Sequence, residues 1–170
     1  ASMGTKRQYA GAAVVDGVLY VVGGDDGGGK LSSVERYDAA ADSWTAVASM
    51  GSKRMGVGVA VVGGVLYAVG GSDGGSSLSS VERYDAAADK WTAVASMGSK
   101  RWGVGVAVVD GVLYAVGGFD GISSSSFLSS LLRMSKRNTK TKNASSSSSR
   151  NRNNSSKTWF CNVIYSWCGY

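Results

Sequence analysis

A shift of 47 residues lays this 170-residue sequence over itself. Ser2–Ala48 and Ser49–Ala95 differ at only 11 of 47 aligned positions, and a third copy opens at Ser96 and holds through Gly121. The stretch GVLYVVGG at Gly17–Gly24 returns as GVLYAVGG at Gly64–Gly71 and again at Gly111–Gly118. A unit this small cannot bury a hydrophobic face alone, so it gains stability by stacking on its neighbours. The repeat restricts the chain to an array of similar modules.

Each module reads as four short strands. Val57–Val62 alternates large and small residues, the pattern of a strand with little room on one side. Gly63-Gly64 follows, and the sister copies have Asp16-Gly17 and Asp110-Gly111. Asp-Gly between apolar runs signals a tight hairpin, whose turn needs positive φ. Val65–Val69 is apolar throughout and suits a strand covered on both faces. Ser80–Asp85 and Lys90–Ala95 complete the set. A four-stranded antiparallel sheet buried on both faces requires stacking of sheets, and stacking around an axis gives a β-propeller. The expected fold is all-β: a partial β-propeller of four-stranded antiparallel blades with a disordered C-terminal tail. Its units are 2–48, 49–95 and an incomplete 96–121, followed by a vestigial strand within 122–134 and a basic Ser/Asn-rich tail over 135–170.

Together, a Gly-Gly pair closing the second strand, SVERYD in the third and a tryptophan in the fourth resemble the Kelch repeat. The landmarks are Gly23-Gly24, Gly70-Gly71 and Gly117-Gly118, then Tyr20, Tyr67 and Tyr114, then Trp44 and Trp91. Ala39 and Ala86 depart from the proline that usually follows Tyr-Asp in the family. The tyrosines and tryptophans are expected to fill the space between adjacent blades. The glycine pairs are expected where strand backbone passes close to a neighbouring sheet.

Antiparallel connection puts the lead-in loop Ser49–Arg54 and the long loop Gly71–Ser77 at one end of a blade, with the short turns at the other. Variable loops on a rigid scaffold are common binding surfaces. The copies differ mainly there: Gln8-Tyr9 becomes Met55-Gly56 and then Trp102-Gly103, and positions 25, 29 and 30 differ from 72, 76 and 77. The resemblance implies that arginines of the lead-in segment grip acidic side chains of a docked peptide. Arg54 and Arg101 are the first candidates and Arg7 the next, each preceded by lysine. Guanidinium suits the task because its planar fork binds carboxylate through two hydrogen bonds. Asp25, Asp26, Ser72, Asp73, Phe119 and Asp120 complete the candidate surface. The competing reading has the Lys-Arg pairs solvating that face or pairing with the loop aspartates.

The chemistry available is narrow. With no histidine in the sequence there is no Ser-His-Asp or Cys-His pair and no imidazole metal ligand. Gly24–Leu31 matches GxxxxGK, but Leu31 stands where a Mg²⁺-binding hydroxyl belongs and two aspartates would repel phosphate. No catalytic residue, metal site or cofactor is expected. Glu35 and Glu82 recur inside a strand motif, which assigns them to the scaffold, opposite Arg36 and Arg83.

Charge is divided along the chain. All 12 acidic residues lie at or before Asp120, whereas eight lysines and arginines and no acid follow it, so the overall +6 belongs to the tail. The tail has three competing readings: a basic arm for nucleic acid or acidic membrane, a docking motif in its aromatic end, or a segment produced by a misread exon boundary. Cys161 and Cys168 form no disulfide framework or metal knuckle. No signal-peptide pattern opens the sequence, and no apolar run approaches the ~18 residues of a membrane helix. A cytoplasmic protein is therefore expected.

By resemblance, the expected role is a protein-interaction module that binds a protein or peptide through its loop face, as substrate adaptors do. The alternatives are a propeller belonging to a larger enzyme, or a truncated or designed fragment without independent function. Ala1-Ser2-Met3 repeats the end of a unit, so at least one blade is expected upstream. Fewer than four blades do not close a ring, and exposed sheet edges and faces favour self-association.

Overall fold

The computed structural model describes residues 1–121 together with the backbone of two further strands, Leu131–Lys136 and Trp159–Ile164. Every described regular element is a β-strand. The first sheet contains β1 (Gly11–Val15), β2 (Val18–Val22), β3 (Val34–Asp38) and β4 (Ser43–Val47), paired antiparallel in chain order. The second repeats it with β5 (Gly58–Val62), β6 (Val65–Val69), β7 (Val81–Asp85) and β8 (Lys90–Val94). The third contains β9 (Gly105–Val109), β10 (Val112–Val116), β11 (Leu131–Lys136) and β12 (Trp159–Ile164). In it Met134 faces Leu113, as Tyr84 faces Leu66 in the second sheet. Within the 135–170 segment expected to be disordered, Trp159–Ile164 runs as a strand beside β11. The rest of that segment beyond Lys136 lies outside the described residues.

The hairpins form because their turn residues accept the left-handed region. Asp16 and Gly17 have φ of 49° and 80°, and Gly63 and Gly64 have 56° and 76°, matching a type I′ turn. At the other hairpin of each blade, the Asp38 carboxylate accepts the amides of Ala40 and Ala41, and Asp85 does the same for Ala87 and Ala88. These side-chain caps hold the turn where a proline is absent.

The hydrophobic cores lie between sheets. One packs Val15, Tyr20, Val22 and Val34 of the first blade against Val57, Leu66, Tyr84 and Trp91 of the second. The other packs Tyr67, Val69 and Val81 of the second blade against Val104, Leu113 and Ala115 of the third. Tyr20 and Tyr67 are buried, and Tyr20 meets Tyr84 across the joint with ring centroids 5.7 Å apart. Trp91 is buried, whereas Trp44 and Tyr114 are half-buried. On the innermost strands, a Cβ at Gly11 would lie 2.2 Å from Val59 Cγ2, and one at Gly58 would lie 2.6 Å from Val106 Cγ1. The small residues of the alternating pattern thus admit valines from the next blade. These are three blades stacked as in a β-propeller.

A backbone seam runs along each joint, and a side-chain seam adds to the first. The amide of Gly24 donates to the Arg54 carbonyl at 2.8 Å, and Arg54 donates back to Leu31 at 2.9 Å. Gly71, Arg101 and Leu78 repeat this one blade later. At the opposite end, Asp89 accepts the Ala48 amide at 2.8 Å and the Tyr84 hydroxyl at 2.7 Å, while Trp91 Nε1 donates to the Ala48 carbonyl. The linker leaving one blade is therefore held by the next.

Candidate functional site

The arginines expected to grip a partner point inward. The Arg54 side chain is fully buried. Its Nη2 and Nε donate to Glu82 Oε1 at 2.8 and 3.3 Å, its Nη1 to the carbonyls of Gly70 and Ser80, and its Nη2 also to Ser80 Oγ. Those five bonds match the five N–H donors of a guanidinium. Arg7 makes the same set with Glu35, Gly23 and Ser33, and its side chain is equally buried. Arg101 is 3% exposed and donates to the Gly117 carbonyl. The assignment of Arg7, Arg54 and Arg101 to partner binding is therefore corrected: they fasten the lead-in segment to the blade that follows it.

The expected partners of the glutamates also change. Glu35 and Glu82 pair with Arg7 and Arg54, not with Arg36 and Arg83. Glu35 further accepts the amides of Gly4 and Thr5, and Glu82 those of Gly51 and Ser52. Burial pushes the Glu35 carboxyl up, but Arg7 and the two amides outweigh it and hold the group below its ordinary range.

The loop aspartates serve their own loops. Asp25 is buried and accepts Lys30 Nζ at 2.5 Å and the Gly27 amide, so the lysine of the GxxxxGK lookalike is tied to a carboxylate. That lysine bond, with the Gly27 amide, lowers the Asp25 pKa. Asp26 caps Gly28 and Gly29, and Asp73 caps Gly75 and Ser76, each pair at 2.8 Å. These amides hold both carboxyls below their usual range. Ser72 Oγ accepts the Gly74 amide, and Asp120 is half-buried beside Phe119.

What remains on this rim is a set of paired side chains. Gln8 bridges Asp25, Met55 bridges Ser72 and Trp102 bridges Phe119, each through two reciprocal backbone hydrogen bonds of 2.8–2.9 Å. All six occupy positions where the copies differ. Around the rim the pairs change from polar and charged, to thioether and hydroxyl, to two aromatic rings 6.5 Å apart in edge-to-face contact. Between the second and third pairs lies a groove of about 240 Å³ lined by Met55, Ser72, Trp102 and Phe119 with Ser76 and Gly121. The Trp102 indole lies against Gly56, where a Cβ would sit 2.4 Å from Nε1, and that N–H has no acceptor among the described residues. A second hollow of about 270 Å³, lined by Lys6, Gln8 and Asp26 among others, flanks the first blade.

The Kelch motif matches the chain three times, over residues 6–51, 53–98 and 101–138. The chain belongs to the Kelch-repeat family. Kelch repeats generally mediate protein–protein interaction and are typically non-catalytic. Comparison with curated proteins returns no match. Each Kelch match begins at or just before the arginine of a lead-in segment and contains the Gly-Gly pair whose carbonyl that arginine holds.

Met55 and Trp102 were legible only as differences between copies, and Gln8 likewise. Their signal was that variation concentrates on residues of one rim. The inward turn of the arginines also had a signal. Arg7 to Glu35 and Arg54 to Glu82 share one spacing, and recurrence at a repeat position points to scaffold for both partners.

Proposed function

We propose that this Kelch array is a protein-binding module whose rim pairs hold a peptide segment. An apolar side chain of that segment seats between Met55, Ser72, Trp102 and Phe119. One observation carries the reading: blades nearly identical in their scaffold diverge at the cross-bridged rim positions, and the divergence builds an aromatic groove. Phe119, edge-to-face with Trp102, is still 40% exposed and leaves aromatic surface open to a docked side chain. With the arginines internal, a preference for acidic partners loses the side chains that would have supplied it. In this reading the module works as an adaptor: it holds a partner and leaves covalent chemistry to others.

A random-peptide display library panned on the full chain tests this. The expected result is a family of peptides sharing an aromatic or aliphatic anchor, whose binding falls at least tenfold with Phe119→Ser or Met55→Ser. Binding by those peptides should survive Val14→Lys, which lies away from the rim. Recovery of no peptide, or of peptides indifferent to both rim substitutions, would overturn the proposal.

A further inference from the structure

Among the described residues, five other than glycine have positive φ, and four of them are aspartates. Aspartate tolerates the left-handed region because its short side chain hydrogen-bonds locally. The fifth is Tyr9, at φ 55°, where a bulky side chain crowds its own backbone. The sister copies place glycine there, Gly56 at φ 58° and Gly103 at 65°. Backbone hydrogen bonds hold this conformation from both sides. Gln8 is bridged to Asp25 by two bonds of 2.9 Å, and the Tyr9 carbonyl accepts the Gly56 amide at 2.8 Å. The Gly56 carbonyl accepts the Gly103 amide in the same way, at 2.9 Å. Tyr9 is also 61% exposed, more than any other large hydrophobic residue described, so burial does not offset the strain.

The start of the chain does not create this exposure. Gly103 has a complete blade before it, and a Cβ there meets nothing within 4 Å. What approaches this position is the following blade: a Cβ at Gly56 would lie 2.4 Å from Trp102 Nε1. For Tyr9 the following blade is present, and it carries the slimmer Met55 in place of Trp102. Each joint thus has one aromatic residue at this level of the rim. Trp102 supplies it at the second joint, from the blade that follows, and Tyr9 at the first, from the blade that precedes.

We infer that Tyr9 determines specificity on the peptide rim: its ring takes a second apolar side chain of the docked segment, on the first-blade side of Met55. This assignment rests on the proposed function and deepens it by naming a second anchor position. A tyrosine placed in a strained, exposed conformation gains little from packing, and such strain gathers where a side chain meets a ligand. The anchor is apolar because Tyr9 continues the series of Met55, Trp102 and Phe119. The Asp25 carboxylate, in the residue bridged to its neighbour Gln8, is already engaged by Lys30.

Two variants of the full chain separate a binding role from a folding one. Tyr9→Gly restores the sister residue, so its urea midpoint should equal or exceed that of the unmutated chain. Peptides selected on the unmutated chain from a random display library should bind Tyr9→Gly about fivefold more weakly or worse, and Tyr9→Phe within about twofold. Panning on Tyr9→Gly itself should return peptides with the anchor that depends on Phe119 and Met55, but with no second apolar position. Peptides weakened by Phe119→Ser yet indifferent to Tyr9→Gly would overturn this inference and leave the proposed function standing. Peptides indifferent to every rim substitution, or none recovered, would overturn both. A marked fall in the urea midpoint of Tyr9→Gly would also overturn it, because the ring would then belong to the fold.

Discussion

Arg54 shows how one side chain can belong to two blades. Its backbone is hydrogen-bonded to Gly24 and Leu31 of the first blade, and its guanidinium is spent entirely inside the second. Removing one partner of a buried, fully bonded ion pair leaves an uncompensated charge, a loss of about 3–5 kcal/mol. We expect Arg54→Ala to lower unfolding stability by that amount in urea titration, and Lys53→Ala, on the exposed neighbour, to change it by less than about 0.5 kcal/mol. The equivalent Arg7–Glu35 pair of the first blade sets an acid limit. Because the folded Glu35 carboxyl titrates below its unfolded range, its contribution is complete above the unfolded pKa and disappears as pH falls through the folded one. Thermal melts from about pH 6 down to about pH 3 should show a steep fall in Tm, shallower in Glu35→Gln.

At the scale of the element, two kinds of positive-φ glycine separate. Gly70 has φ 59° and a Cβ there would lie 2.5 Å from the Arg101 carbonyl oxygen. Gly63 has φ 56° in open space. The first constraint is collision and the second only backbone preference, which Asp16 and Asp110 already meet at φ 49° and 52°. Gly63→Asp should leave the urea midpoint almost unchanged, whereas Gly70→Ala should cost more than about 2 kcal/mol, the combined effect of strain and a displaced blade joint.

The strands of the second blade were legible to within a residue, because apolar patterning and tight Gly-containing turns are local signals, whereas β12 fell in a segment expected to be disordered. Val65–Val69 matches β6, and Ser80–Asp85 begins one residue before β7. The direction of the arginines was not legible from local pattern. A buried guanidinium and an exposed one read alike in sequence until a carboxylate at fixed spacing is paired with it. The resemblance to peptide-gripping relatives pulled the reading outward, and the geometry of Glu82 pulls the residue in.

At the scale of the molecule, no blade holds its own core among the described residues. The apolar clusters are shared across joints, so stability resides in neighbour terms as in other repeat arrays. The joints also explain why the copies are nearly identical in their scaffold: each residue of a joint must fit its counterpart in the next blade.

Amide hydrogen exchange of the full chain, read residue by residue by NMR, tests this most directly. The amides of Gly24, Arg54, Gly71 and Arg101, which join blades outside any strand, should exchange as slowly as mid-strand amides such as Leu66. Exchange at those four sites as fast as at the Gly63-Gly64 turn, with Leu66 still protected, would show blades that fold separately and would contradict the account.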